Sequence, residues 1–276
     1  ALEESPVVVG KNVILVMGPT GAGKSTSISY FMGYQMVSKD LVNTFDEVVD
    51  IAPGAVGEQA DIGHSQVTSY TLYSKVLDIK GQPFSLCDCP GFEDTRGPEA
   101  RITAAINNQV VIKSSRSIKA LVITIDLRAL SSAKRGDYLR NILPVLESLL
   151  KDPKPHMRSI FFMFTKVELR KKKKIIPYLQ GVQKELQGNL GTSEGAQKQD
   201  ILQQLLAVQF MIELQENFLF VDPLDEGESR AEILSRLAAS RPIPHNDFKF
   251  PEKDETRIEL NQLLYGVMNG AVSAFD

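Results

Sequence analysis

Residues 18–25 read Gly18-Pro19-Thr20-Gly21-Ala22-Gly23-Lys24-Ser25, and Thr26 follows. A complete Gly-x4-Gly-Lys-Ser run is a phosphate-binding loop when it joins a strand to a helix. Both flanks are present. Val13-Ile14-Leu15-Val16-Met17 is an apolar strand, and a helical pattern starts at Lys24 and is expected to reach 36. Glycine lets the backbone wrap a phosphate without Cβ clashes. The loop N–H groups then form an anion-binding concavity at the helix N-terminus. In this motif Lys24 reaches the β- and γ-phosphates and the Ser25 hydroxyl ligates Mg²⁺. Gly18, Thr20, Gly21, Ala22, Gly23, Lys24, Ser25 and Thr26 are therefore the expected phosphate-binding residues.

Such a loop predicts an α/β sheet, and the remaining pattern agrees. Strands are expected near 12–17, 69–79, 83–88, 118–125, 159–165 and 217–222. Lys80-Gly81-Gln82 joins the second and third with hairpin chemistry. The others are separated by helical stretches, which implies parallel crossovers. Helices are expected at 24–36, 98–114, 134–150, 174–188, 196–215, 228–239 and 254–271, with Pro144 kinking or restarting the third. One antiparallel strand in an otherwise parallel six-stranded sheet is the plan of a P-loop G domain. That domain is expected over 1–225, with a helical insertion at about 170–216 and a C-terminal helical extension at 226–276. The stretch 37–67 is polar, holds Gly54, Gly57 and Gly63, and reads as one long functional loop.

A second phosphate element lies at 84–91, Phe84-Ser85-Leu86-Cys87-Asp88-Cys89-Pro90-Gly91. A strand delivers Asp88 to the phosphate end, where it can hold Mg²⁺ through water. The Gly91 N–H can donate to a γ-phosphate. Among Ser65, Thr68, Ser69 and Thr71, Thr68 is the expected loop threonine over the metal. Base recognition is expected after the fifth strand, in Thr165-Lys166-Val167-Glu168. A carboxylate accepts both donors of the guanine edge, and a lysine stem can lie over the base. The acid here is Glu168, one methylene longer than the usual aspartate, so ATP or mixed nucleotide specificity stays open beside GTP.

Together, Gly18 to Thr26, Asp88-Cys-Pro-Gly-Phe-Glu-Asp94-Thr-Arg96-Gly97 and Thr165-Lys166 resemble the septin-like (paraseptin) GTPases, most of all the immunity-associated, AIG1-like type. The likeness covers roughly residues 10–170. It implies GTP and GDP binding with Mg²⁺, and association through the nucleotide face, hence a homodimer. A membrane-attached scaffold or an effector protein are further partners it implies. Carried over residue by residue, it makes Ser25, Thr68 and Asp88 metal ligands, Lys24, Thr68 and Gly91 catalytic, and Thr165, Lys166 and Glu168 base-facing.

Ras-type GTP hydrolases orient the attacking water with a glutamine directly after the Asp-x-x-Gly glycine. Here that residue is Phe92, so unassisted hydrolysis is expected to be slow. An arginine supplied across a dimer would neutralise transition-state charge. Arg96 is the first candidate and His64 the second. A scaffold with negligible turnover is the alternative from another class.

Composition removes other classes. A net charge of −3 argues against a nucleic-acid partner. No apolar run approaches membrane-spanning length, and a cytoplasmic protein, peripheral on a membrane at most, is expected. Arg170-Lys171-Lys172-Lys173-Lys174 reads as a solvated run before a helix, with anionic lipid as the alternative. Cys87 and Cys89, the two cysteines, are expected as reduced thiols on opposite faces of their strand. His156 and His245 lack partners at metal-ligand spacing.

Overall fold

The structure is a computed structural model that describes residues 8–40, 47–62, 74–90, 98–130, 135–166, 169–224 and 230–249. The strands are β1 (Asn12–Met17), β2 (Met36–Asp40), β3 (Glu47–Ile51), β4 (Lys75–Asp78), β5 (Ser85–Asp88), β6 (Ser117–Asp126), β7 (Ile160–Thr165) and β8 (Phe218–Val221). The helices are α1 (Lys24–Met32), α2 (Pro98–Ser114), α3 (Leu127–Leu130), α4 (Arg135–Leu149), α5 (Ile175–Leu190), α6 (Gly195–Glu213) and α7 (Arg230–Ala238).

Six strands form one sheet in the order β4-β5-β1-β6-β7-β8. Every neighbouring pair is parallel except β4 and β5. This is the expected architecture, a six-stranded sheet with one antiparallel strand and helices on both faces. Side chains of a strand alternate between faces, and the apolar strands obey this on both sides. Leu15, Met17, Leu121, Ile123, Phe162 and Phe164 pack with α4, α5 and α6 in one core. Ile14, Val16, Ala120, Val122, Phe161 and Met163 pack with α1 and α7 in the other. Continuous apolar sequence is what a sheet covered on both faces requires.

Phe162 is fully buried and meets Phe210 and Phe218 edge-on, at ring-centroid distances of 6.4 and 6.1 Å. It ties β7 to both α6 and β8. The β4–β5 hairpin turns at Gly81, whose φ of 79° needs glycine. Lys11 grips both carboxylate oxygens of Asp78 at 2.8 Å, and the Ser85 hydroxyl donates to the same group at 2.6 Å. This fastens the hairpin to the chain entering β1.

Several elements depart from expectation. α1 stops at Met32 rather than 36, because Gly33 adopts a φ of 97° and its N–H turns back to the carbonyls of Ser29 and Tyr30, a glycine helix stop. α4 continues through Pro144 as one helix. That proline is exposed, so the carbonyl it leaves unpaired can meet water. The stretch read as a single long loop contains an antiparallel ribbon, β2 with β3, separate from the main sheet. Its polarity is that of a half-exposed ribbon, stapled by Lys39 on Asp50 at 2.7 Å. Cys87 and Cys89 are both buried in the same core, with sulfurs 3.8 Å apart. Residues two apart on a pleated strand share a face, so the opposite-face expectation was incompatible with strand geometry. They are free thiols as expected, and the hydrogen bond with Cys89, then burial, push the Cys87 thiol well up. Residues 69–73 and 254–271 lie outside the described residues.

Replacing Phe162 with Ala should destabilise the domain by about 3–5 kcal/mol, read as a lower denaturant midpoint. The lowered pKa of Asp78, caused first by the Lys11 hydrogen bond and then by that from Ser85, makes a pH prediction. Folding favours the ionised carboxylate. Its contribution is complete above the ordinary carboxylate pKa and disappears as pH falls through the lowered one. The side chain is 67% exposed, so the pair is worth at most about 1 kcal/mol. Asp78→Asn should lower Tm by a constant amount above about pH 5, and the gap should close in more acid solution. A gap independent of pH would contradict the ion pair.

Candidate functional site

The parallel strands β5, β1, β6 and β7 all end at one edge of the sheet. Register places Asp88 opposite Val16, and Thr165 opposite Asp126. The phosphate loop therefore emerges from β1 between Asp88 on one side and Asp126 and Thr165 on the other. Ligand sites of open α/β sheets form at such strand ends.

Glycine conformations shape the loop. Gly18, Gly21 and Gly23 have φ of 153°, 77° and 88°. A Cβ on Gly18 would lie 2.6 Å from the Thr124 carbonyl oxygen, whereas one on Gly21 would meet nothing within 4 Å. Lys24 is buried, and its Nζ donates to the carbonyls of Gly18 and Pro19 at 3.0 and 2.9 Å. Thr165 Oγ1 donates to the Ala22 carbonyl at 2.6 Å, and Lys166 Nζ to the Gly21 carbonyl at 2.7 Å. Gly23 caps α1 without a side-chain hydrogen bond, and Thr20 Oγ1 is buried without a partner. The loop's carbonyls are drawn into the protein, and its first helical turn is left to an anion.

Ser25 Oγ donates to Asp88 Oδ2 at 2.6 Å, while Asp88 Oδ1 is buried with no hydrogen-bond partner. Burial pushes the Asp88 carboxyl up, against the pull of the Lys24 charge and the Ser25 hydroxyl. A hydroxyl and a carboxylate, both hard oxygen donors, suit Mg²⁺, which takes its remaining ligands from water and phosphate. The unpartnered oxygen of Asp88 fits that role. Among the described residues no three His, Cys, Asp or Glu side chains gather as a metal cage.

Lys166 is held on its other side by Asp126, 2.8 Å from Nζ. Its φ of 53° is left-handed, a strained conformation that points to a functional position. Asp126, which also accepts from the Arg128 N–H at 2.9 Å, was missed by motif reading. Its signal was available, an acid at the carboxyl end of a central strand. Asp61 and Lys75 were missed as well. They pair at 3.6 Å, and their charges act on Asp88 from the edge of the sheet.

The structure thus gathers Gly18, Thr20, Gly21, Ala22, Gly23, Lys24, Ser25, Asp88, Thr165 and Lys166 at one edge, with Thr26 half-buried in the first turn of α1. Thr68, Gly91, Arg96 and Glu168 lie outside the described residues, as do His64 and Phe92. Of the basic run, Lys172 places its Nζ 4.8 Å from the centre of the Phe220 ring, and Lys173 and Lys174 are exposed. Among the described residues no helix is long and apolar enough to cross a membrane.

No family model and no curated protein sequence matches the chain. Solved structures overlap it in outline, among them these three. An NFeoB mutant of S. thermophilus bound to GDP is 14% identical over 92% of this chain and 71% of its own, with a TM-score of 0.37. A chain of the signal recognition particle receptor SRb-GTP/SRX complex from Chaetomium thermophilum is 18% identical over 83% and 98%, with a TM-score of 0.36. The G domain of the T. maritima FeoB iron transporter is 16% identical over 70% and 99%, with a TM-score of 0.28. These likenesses are distant, and the chemistry of the site rests on this chain's own residues.

Gly18→Ala combines an unfavourable φ with a backbone clash and should cost about 1–3 kcal/mol. Gly21→Ala carries the φ penalty alone and should cost about 1 kcal/mol. Thermal melts of the two variants should preserve that order, and the reverse order would contradict the close packing of Gly18 on Thr124.

Proposed function

We propose that this chain binds guanine nucleotide with Mg²⁺, hydrolyses GTP slowly, and serves as a nucleotide-controlled switch or assembly module of the septin-like, immunity-associated kind. The observation that carries the reading is the tie between the two recognition elements. Thr165 and Lys166, the start of the base motif, hydrogen-bond the carbonyls of Ala22 and Gly21 inside the phosphate loop. A base held beside Lys166 and a phosphate held in the loop would then share one rigid frame.

In this reading Lys24 exchanges its carbonyl partners for the β- and γ-phosphate oxygens, and the amides of Gly21 to Thr26 cradle the phosphate chain. Ser25 and Asp88 hold Mg²⁺, which when bound neutralises charge on the phosphate oxygens. Thr68 and the Gly91 N–H complete the γ-phosphate contacts, and Glu168 accepts from the guanine edge. Phe92 cannot hydrogen-bond a water, so hydrolysis needs help. Arg96 reaching across a homodimer formed on the nucleotide face is the group assigned to that task. A second reading, ATP or mixed specificity, is favoured only by the extra methylene of Glu168.

Calorimetry separates these readings. GDP and GTP with Mg²⁺ should bind at least about tenfold more tightly than ATP, and Lys24→Ala should abolish the heat. Glu168→Asp should tighten GTP if the acid faces the base. Equal affinity for ATP would support the second reading, and no heat from any purine nucleotide would sink both.

A further inference from the structure

At the opposite end of the sheet, where β7 begins, a half-open cavity of about 360 Å³ lies between residues 154–159 and Arg241-Pro242. Its lining includes Lys154, His156, Arg158, Ser159, Arg241 and Pro242. β7 spans five residue steps between this cavity and Thr165, so roughly 17 Å separates it from the phosphate loop. Three cationic residues are among its lining in a chain whose net charge is −3, and no acidic residue is. Two acids lie close behind. Asp247 pairs with His156 at 3.1 Å, and Asp152 accepts from the Lys154 main-chain N–H at 3.0 Å. Neither forms an ion pair with Lys154, Arg158 or Arg241 among the described residues.

The walls are fixed by bonds that do not use these charges. Ser159 Oγ donates to the Arg241 carbonyl at 2.6 Å. Asn217 Nδ2 donates to the carbonyls of Met157 and Ile160 at 2.7 and 2.9 Å. Bridges Ile118 to Ile243 and Leu150 to Phe248 hold the far wall against the domain. The backbone is thus anchored while the Lys154, Arg158 and Arg241 side chains stay exposed. Their charge contributes little to folding at such a surface, and guanidinium groups suit phosphate oxygens. The volume is the room of roughly a dozen waters at about 30 Å³ each, far more than one phosphate ion fills.

We propose that this cavity is an anion site for a multiply phosphorylated, sugar-sized ligand, either soluble or carried as a lipid headgroup, independent of the nucleotide site. The test uses the whole chain without Mg²⁺. Titrate it with inositol hexakisphosphate, with inorganic phosphate, and with phosphatidylcholine vesicles with or without phosphatidylinositol phosphate. Inositol hexakisphosphate should bind wild type and Lys24→Ala alike. Arg158→Gln/Arg241→Gln should weaken it at least about tenfold while leaving Tm and nucleotide affinity unchanged. Should that pair fail to fold, Lys154→Gln alone should weaken it by about threefold. Inorganic phosphate should bind at least about tenfold more weakly than inositol hexakisphosphate. A soluble ligand is indicated by binding in solution without vesicle recruitment. A headgroup is indicated by recruitment specific to phosphatidylinositol phosphate and lost in the double variant. The proposal falls if neither probe binds, if binding survives both sets of substitutions, if Lys24→Ala removes it, or if inorganic phosphate binds equally well.

Discussion

The candidate site depends on where four carbonyl oxygens of the phosphate loop are sent. Those of Gly18 and Pro19 go to Lys24, that of Gly21 to Lys166, and that of Ala22 to Thr165. A trans peptide holds its C=O and the following N–H on opposite sides. Pinning the Pro19 carbonyl therefore turns the Thr20 N–H the other way, and pinning that of Ala22 does the same for Gly23. The loop becomes a surface of donors because its acceptors are consumed behind it. The carbonyls of Ala22 and Gly21 stay pinned by Thr165 and Lys166 whether or not Lys24 turns to an anion, so that part of the loop's orientation is completed by folding.

That arrangement needs the sheet. Thr165 reaches Ala22 only because β7 runs parallel to β6 and β6 to β1: β1 ends at Met17, level with Ile123, while β6 and β7 continue three residues to Asp126 and Thr165, alongside the loop. The order of strands is in turn held by alternation, which sends Leu15 and Phe162 into one core and Val16 and Met163 into the other. A one-residue slip of β7 would exchange its faces and take Thr165 off the loop. Packing of Phe162 against Phe210 and Phe218 is thus a site-positioning contact, although it lies in the core.

Much of this was legible where the chemistry is local in sequence. The phosphate loop, Asp88 at a strand end and the Thr165-Lys166 pair each lie within a few residues of an apolar run, and residue type with spacing suffices. The fold class followed from the same runs. What escaped has one of two causes. The β2–β3 ribbon is short, lies outside the main sheet and sits in a stretch that is polar as a whole, and polarity is also the signature of a loop. Asp126, Asp61 and the anchored walls of the far cavity act through partners distant in sequence. Lys166 lies 40 residues from Asp126, and Arg241 lies 82 from Ser159. No periodicity within one window contains such pairs. The cysteines are a different case, since their shared face follows directly from the pleat.

The two ends of the sheet also separate two ways of using positive charge. At the phosphate loop the cation is buried, and Lys24 and Asp88 each meet the other's field. Burial disfavours both charged forms, so the pair is maintained by hydrogen bonds from Lys24 to the loop carbonyls and from Ser25 to Asp88. Charge there is scarce, oriented and costly. At the far end the three cations are exposed and screened, and their strength is additive rather than geometric. A chain that is acidic overall keeps both, since each depends on local concentration of charge and neither on the net sum. An oriented, buried pair belongs to the first end, and an exposed concentration of positive charge to the second.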